Sequence, residues 1–276
     1  MTRDEWLKAH AYLQPVATLD AEVEAAAEGL DTNVAPLPGW EEYVEDFRSG
    51  VPLLLSPAAG IDLEPAGRAV ASIVKTLAAR RLPGSLAEDA RGLQAELERE
   101  IRAPRRLADW LLGDDGFAPT SPGLLRYLGW KAAARALRPL VGAFGGWREE
   151  ERWMRNYCPT CGSKPAMAQL LGTDPGRKRF LSCGCCRTRW QYGRTRCPFC
   201  EQDSHRLGVV AVAKEGGLRI DYCESCRGYL KTLEGQADEE LLLSDWSSLH
   251  LDLVAHDRGL ERRGVSLYDL EPILQT

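Results

Sequence analysis

Residues 158–186 read CPTCGSKPAMAQLLGTDPGRKRFLSCGCC, and residues 197–226 read CPFCEQDSHRLGVVAVAKEGGLRIDYCESC. The two stretches share one layout. Cys158-Pro159-Thr160-Cys161 is followed by 21 residues and then Cys183-Gly184-Cys185-Cys186. Cys197-Pro198-Phe199-Cys200 is followed by 22 residues and then Cys223-Glu224-Ser225-Cys226. The second set repeats the first at an offset of 39 to 40 residues, so one supersecondary unit is used twice. A Cys-x-x-Cys turn aims two sulfurs at one point, with backbone N–H groups facing them. Two such turns supply four thiolates at tetrahedral corners, about 2.3 Å from a zinc ion, and iron suits the same four sulfurs. The spacing therefore predicts two four-cysteine metal sites. One comprises Cys158, Cys161, Cys183 and Cys186, and the other Cys197, Cys200, Cys223 and Cys226. Cys185 is left over; it can be a spare thiol, a redox group or a ligand in place of Cys186, and the spare thiol is the simplest reading.

The span between the turns has the length of a β-hairpin. Gly208 to Ala213, the turn Lys214-Glu215-Gly216-Gly217 and Leu218 to Tyr222 read as strand, turn, strand. Met167 to Leu171 and Arg179 to Ser182 are the equivalent strands of the first repeat. This is a zinc-ribbon or rubredoxin-like arrangement. All nine cysteines lie between Cys158 and Cys226, which marks residues 152–194 and 195–233 as two ribbons distinct from what surrounds them.

The flanks read as helical. Asp20 to Leu30 is rich in Ala and Glu. Gly39 to Phe47 places Trp40, Tyr43 and Phe47 at helical spacing. Ala66 to Leu82 carries Val70, Ile73, Val74 and Leu77 on one face. Ser85 with Glu88 fits a capping box that opens a helix through about Ile101. Ser121-Pro122 starts another, with Leu124, Leu125 and Leu128 as ordinary core and Pro139 near its end or at a kink. Val51 to Pro57 reads as a buried connection. Glu234 to Arg258 reads as one further helix ended by Gly259 or Gly264. The expected fold class is α+β multidomain: an all-α bundle over residues 1–151, tandem four-Cys β modules, and a C-terminal helical tail over 234–276.

Composition narrows the function. The 276 residues are 44% hydrophobic and 27% charged, as in an ordinary globular protein. The N-terminal MTRDEWLKAHAYLQPVATLD contains no apolar h-region, and no apolar stretch has the length to cross a bilayer, so a cytoplasmic protein without membrane insertion is expected. Thiols stay reduced in that compartment, so the cysteines read as metal ligands before disulfides. A thiol–disulfide oxidoreductase needs a single pair at a helix start in a βαβ setting, which four paired turns do not match. No Ser-His-Asp grouping, P-loop or Gly-x-Gly-x-x-Gly motif is present; no catalytic residue and no small-molecule substrate are expected. Of the four histidines only His205 lies in the ribbons, where the cysteines already close each site. His10, His250 and His256 read as solvated or helix-surface residues.

Charge is divided along the chain. Residues 152–233 hold 15 Lys and Arg against six Asp and Glu, and the remainder holds 20 against 34. Two divalent ions on eight thiolates would leave the ribbons at about +5. Arg177, Lys178, Arg179, Arg187, Arg189, Arg194 and Arg196 cluster, with Trp190 and Tyr192 between them. Such a patch binds nucleic acid or grips an acidic protein surface; it is also what a solvated face looks like. The overall pI near 5.6 argues mildly against nucleic acid.

The run from Cys158-Pro159-Thr160-Cys161-Gly162-Ser163-Lys164-Pro165 through Cys183 to Cys186 with Trp190, Arg196 to Cys200, and Cys223 to Cys226 followed by Arg227-Gly228-Tyr229-Leu230-Lys231, resembles the formate dehydrogenase accessory proteins of the FdhE type. Leu249-His250-Leu251-Asp252 and Pro52-Leu53-Leu54-Leu55 resemble the same family. The resemblance implies a cytoplasmic, non-catalytic assembly factor that binds the catalytic subunit of respiratory formate dehydrogenase. It also implies rubredoxin-like iron on the eight ligand cysteines, with zinc the other candidate. Cys185 has no counterpart there. Of the four turns only the first is followed by Gly, at Gly162; Arg187, Glu201 and Arg227 follow the others. A rubredoxin turn often uses that Gly for a left-handed backbone, so this departure counts against redox-tuned iron. The competing readings are a zinc-ribbon nucleic-acid-binding protein using Arg177 to Arg196, and a general holdase for unfolded chains.

Overall fold

The computed structural model describes residues 2–28, 39–79, 86–100, 102–113, 116–173 and 175–268. Helices α1 (Arg3–Ala9), α2 (Gln14–Ala27), α3 (Trp40–Ser49), α4 (Glu64–Ala78), α5 (Leu86–Arg99), α6 (Ala103–Leu111) and α7 (Pro122–Trp147) precede the cysteines. The chain divides into two compact units, one of Met1–Ala17, Glu45–Pro52 and Arg148–Ser266, the other of Thr18–Val44, Leu53–Trp147 and Leu267–Thr276.

In the second unit α4 packs against α5, α6 and α7. Val70, Ile73, Val74 and Leu77 are wholly buried, as their spacing predicts. The α4–α6 approach is close because position 67 is glycine: a Cβ there would stand 2.0 Å from the Pro104 carbonyl oxygen. Leu124, Leu125 and Leu128 are core. Pro139 ends nothing, for α7 continues through it to Trp147. The α7 residue Lys131 is buried, with its ammonium 2.5 Å from Asp20 and 3.0 Å from Glu24. Burial pushes the Asp20 carboxyl up, but Lys131 and hydrogen bonds from Tyr268 and Tyr127 outweigh it and hold the group below the ordinary range. Leu53 and Leu54, in the apolar connection after α3, are buried. The expected cap at Ser85 lies outside the described residues.

The first unit is built on a seven-stranded sheet. Its strands are β1 (Met167–Leu171), β2 (Lys178–Ser182), β3 (Arg189–Tyr192), β4 (Leu207–Ala211), β5 (Leu218–Cys223), β6 (Gly228–Glu234) and β7 (Glu261–Arg262). Each cysteine repeat forms an antiparallel three-stranded ribbon, β1-β2-β3 and β4-β5-β6. The ribbons join where β1 runs parallel to β6, with Met167 opposite Lys231 and Leu170 opposite Glu234. β7 extends the β6 edge at Gly228 and Tyr229. Neither β3 nor β6 is foreseen from the sequence.

The segment after β6 is not one helix. It holds α8 (Glu239–Leu242), a 3-10 turn over Asp245–Ser248 and α9 (Leu249–Asp257). Polar side chains interrupt it: Asp238 accepts from the Leu241 N–H at 3.0 Å, and the Ser244 and Ser247 hydroxyls donate to the carbonyls of Glu240 and Ser244. Such local bonds compete with the helical ladder. α9 does end at Gly259, which is left-handed at φ 65°, the usual role of a glycine just past a helix. No described helix is long and apolar enough to cross a membrane.

Candidate metal centres

The four turns close two sites. Cys158, Cys161, Cys183 and Cys186 gather their sulfurs within 4.8 Å of one another, and so do Cys197, Cys200, Cys223 and Cys226. In the first, Cys158 Sγ is 3.4 Å from Cys186 Sγ and Cys161 Sγ 3.5 Å from Cys183 Sγ. In the second, Cys197 lies 3.8 Å from Cys226 and Cys200 3.7 Å from Cys223. Sulfurs about 2.3 Å from a tetrahedral ion stand about 3.8 Å apart, whereas a disulfide needs about 2.05 Å. All nine cysteines are free thiols. The donor set and its spacing fit a tetrahedral cation, and those eight side chains are the ones that would hold it.

The turns repeat one backbone design. Gly162 N–H donates to the Cys158 carbonyl at 2.9 Å and Glu201 N–H to that of Cys197 at 3.0 Å. The amides of Thr160, Phe199 and Gly228 point at Cys158, Cys197 and Cys226 Sγ, each at 3.4 Å. The residue after each turn is left-handed: Gly162 at φ 80°, Arg187 at 61°, Glu201 at 60° and Arg227 at 59°. The missing glycines therefore do not change the turn. Arg227 offsets part of its strain by donating to the carbonyls of Arg258 and Gly259.

The sulfurs are poorly solvated. Burial raises the Cys183 and Cys186 thiols well above the ordinary value and pushes Cys197 up to about 12. Hydrogen bonds from Cys158, Cys183 and Cys186 hold Cys161 well below it. Burial opposes the thiolate form at Cys183, Cys186 and Cys197, so a cation held by these sulfurs would supply the compensating charge and release their protons. The two sites differ in access. Every ligand of the first is buried, while Cys200 and Cys226 of the second are partly exposed. Cys185 is buried but outside the first cluster, 3.5 Å from the Ser163 hydroxyl.

The basic patch is largely bonded to its own chain. Arg179 is buried and donates to the carbonyls of Gly193 and Arg196. Arg189 reaches Gln169 and, at 2.6 Å, Glu239, while Arg177 pairs with Glu234. A cleft of about 280 Å³ beside the second cluster is lined in part by Arg194, Phe199, Val209 and Tyr222. It presents a mixed cationic and apolar surface rather than a solvated basic stripe. His205 and His256 are exposed. His10 is not: it is buried and meets Glu215 and His250 in a third cluster of potential ligands. Those residues are 205 and 35 positions apart, so no spacing signal could have linked them.

Fold and site together define a class: a metal-ribbon protein with a helical unit, in which two duplicated four-cysteine ribbons share one sheet. Family models described as "FdhE, central domain" and "FdhE, C-terminal domain" match residues 157–194 and 195–268. The chain is 38% identical over 117 residues to "Protein FdhE homolog" of Aquifex aeolicus, and 37% over 123 residues to that of Pseudomonas aeruginosa. It is 32% identical over 122 residues to "Protein FdhE" of Escherichia coli (strain K12). These alignments cover 40%, 41% and 43% of this chain, and 41%, 39% and 39% of the relatives, about two-fifths of their length. The crystal structure of the FdhE protein from Pseudomonas aeruginosa has the same fold, with a TM-score of 0.61 and 24% identity over 93% of this chain and 88% of that one. Residues 157–268, about two-fifths of the chain, are thus similar to the central and C-terminal domains of the FdhE family.

Proposed function

We propose that this chain is a non-catalytic accessory factor for the maturation of formate dehydrogenase, acting in the cytoplasm on the enzyme's catalytic subunit. In this reading Cys158, Cys161, Cys183 and Cys186 hold one ion, and Cys197, Cys200, Cys223 and Cys226 a second. The ions fix the shape of the sheet, whose surface meets the partner. The observation that carries the reading is the pair of complete four-cysteine clusters in one sheet, within the residues that match the FdhE domains. The cleft between the second cluster and Arg194 offers the partner apolar area rimmed by cationic charge. Such surfaces bind through apolar contact and orient through charge.

Iron is the metal taken from the resemblance, and the left-handed residue after every turn removes the objection raised by the missing glycines. An absorption spectrum with metal analysis on anaerobically purified protein decides it. Visible sulfur-to-iron bands select iron, and a colourless zinc protein excludes it. The function is tested by capture at moderate salt. Tagged chain is expected to retain the catalytic subunit of formate dehydrogenase, and a Cys158→Ser, Cys161→Ser variant to lose it. Recovery of nucleic acid alone, with steep salt dependence, would sink the proposal; so would indiscriminate recovery of unfolded chains.

A further inference from the structure

We propose that His10, Glu215 and His250 form a third cation site, taking a single divalent transition ion of the zinc class. The three residues come from separate places in the first unit. His10 is the residue that caps α1 at its C-terminus, Glu215 sits in the turn between β4 and β5, and His250 is in α9. His10 Nε2 lies 3.1 Å and His250 Nε2 2.7 Å from the same oxygen, Glu215 Oε2.

The argument begins with a proton. His10 Nδ1 is 3.0 Å from the Trp6 carbonyl oxygen. A carbonyl only accepts, so Nδ1 carries the hydrogen. In a neutral ring Nε2 is then a lone pair, and it faces a carboxylate oxygen. Two lone pairs at that distance require positive charge between them. Glu215 needs the same thing, because its side chain is only 12% exposed and, among the described residues, no Lys or Arg lies within ion-pair distance of it. Its side-chain partners are the two imidazole Nε2 atoms, and a largely buried carboxylate with no full positive charge beside it is costly. A divalent cation satisfies both conditions with one particle.

The surroundings fit. Ligands about 2.0 Å from a tetrahedral zinc ion stand about 3.3 Å apart; here the two imidazole nitrogens lie 3.1 and 2.7 Å from Glu215 Oε2 and all three ligand atoms fall within 4.8 Å of one another, so a small outward shift admits the ion. Two imidazoles and one carboxylate make a borderline donor set that suits zinc, cobalt or nickel and leaves a fourth position open to water. An Nδ1–H bonded to a backbone carbonyl is the usual support of a metal-bound imidazole. The ring is held by stacking on Trp6 at 3.9 Å, whose indole N–H donates to the Ser247 carbonyl at 2.9 Å. A bound ion would clip α1, the β4–β5 turn and α9 together.

The rival arrangement is a protonated His10 bridging to Glu215 with no metal. The two are separated by titrating Co²⁺ into the full chain after its eight cysteines have been filled with zinc, verified as two equivalents. The expected result is a third equivalent with ligand-field bands but no sulfur-to-cobalt charge-transfer band. His10→Gln with His250→Gln abolishes that equivalent, and His256→Gln keeps it. Glu215→Gln still accepts hydrogen bonds, so it preserves the fold, yet it weakens Co²⁺ binding by about tenfold or more. Absence of a third equivalent, its survival in the double variant, undiminished binding in Glu215→Gln, or sulfur bands accompanying it would each overturn the assignment.

Discussion

At the residue scale, the positions after the four cysteine turns carry the most information. Their backbone is left-handed whether the residue is Gly162 or Arg187, Glu201 and Arg227. A side chain in that conformation costs about 1–2 kcal/mol, so the geometry is imposed by the turn and its amide-to-sulfur bonds. Glu201 is exposed and, among the described residues, forms no ion pair within 4 Å, whereas Arg227 bonds to backbone carbonyls. Glu201→Gly is therefore expected to stabilise the metal-bound protein by up to about 1 kcal/mol, and Gly162→Ala to destabilise it by about 1–2 kcal/mol. Chemical denaturation of the two variants against the parent, with metal content matched, measures both. A stabilised Gly162→Ala would mean that the left-handed turn is not the bound geometry.

At the element scale, β6 holds the two ribbons together, and its sequence hides it. Gly228-Tyr229-Leu230-Lys231-Thr232-Leu233-Glu234 neither alternates nor forms an apolar run, yet six of its seven residues are buried. Lys231 is 1% exposed; its ammonium lies 2.6 Å from Asp245 and 2.9 Å from Asp252. Arg262 of β7 binds the same two carboxylates at 2.6 and 2.8 Å. Burial opposes the charge on Asp245, but Arg262 and Lys231 outweigh it and hold the carboxyl far below its ordinary range. Asp245→Asn leaves two buried cations short of a partner and is expected to cost about 3–5 kcal/mol at pH 7. The pH dependence has a definite sign. Above about pH 4 Asp245 is ionised in both folded and unfolded chains, and its contribution is constant. Below that the unfolded chain takes up the proton first, so the contribution falls with pH. The stability gap between parent and Asp245→Asn should be flat from pH 7 to about 4 and narrow below it; a gap that widens in acid would reverse the argument. In the helical unit, Gly67→Ala should cost about 1–3 kcal/mol by forcing α4 from α6, read as a lowered melting temperature. The ribbons, the α4 and α7 cores and both four-cysteine clusters were legible because local spacing encodes them. β3 and β6, the broken C-terminal helix and the His10 cluster were not. Each depends on partners far along the chain: a buried lysine reads as surface until its carboxylates are known, and a histidine as solvated until Glu215 is placed beside it.

At the scale of the whole molecule, the ions and the sheet stand or fall together. Structural zinc contributes about 10–16 kcal/mol in small four-ligand modules, comparable with the entire stability of about 5–15 kcal/mol of a folded domain. Without ions the first unit holds buried thiols at both clusters and left-handed side-chain-bearing residues, Arg187, Glu201 and Arg227, at three of its four turns. The parallel β1–β6 pairing makes the ribbons one sheet, so emptying one site loosens strands that position the other. The second site should empty first, because Cys200 and Cys226 are partly exposed while every ligand of the first site is buried. The helical unit has its own core around α4 and α7 and no cysteine. A strong chelator is thus expected to release one ion quickly and the other slowly, with proton uptake by the freed thiolates. It should remove the cooperative melting of the sheet while leaving a helical circular-dichroism signal that melts on its own. Titration with chelator, followed by elemental analysis and spectroscopic melting at each step, makes the test. A sheet that melts unchanged after both ions are verified as gone would show that the eight cysteines do not hold this fold together.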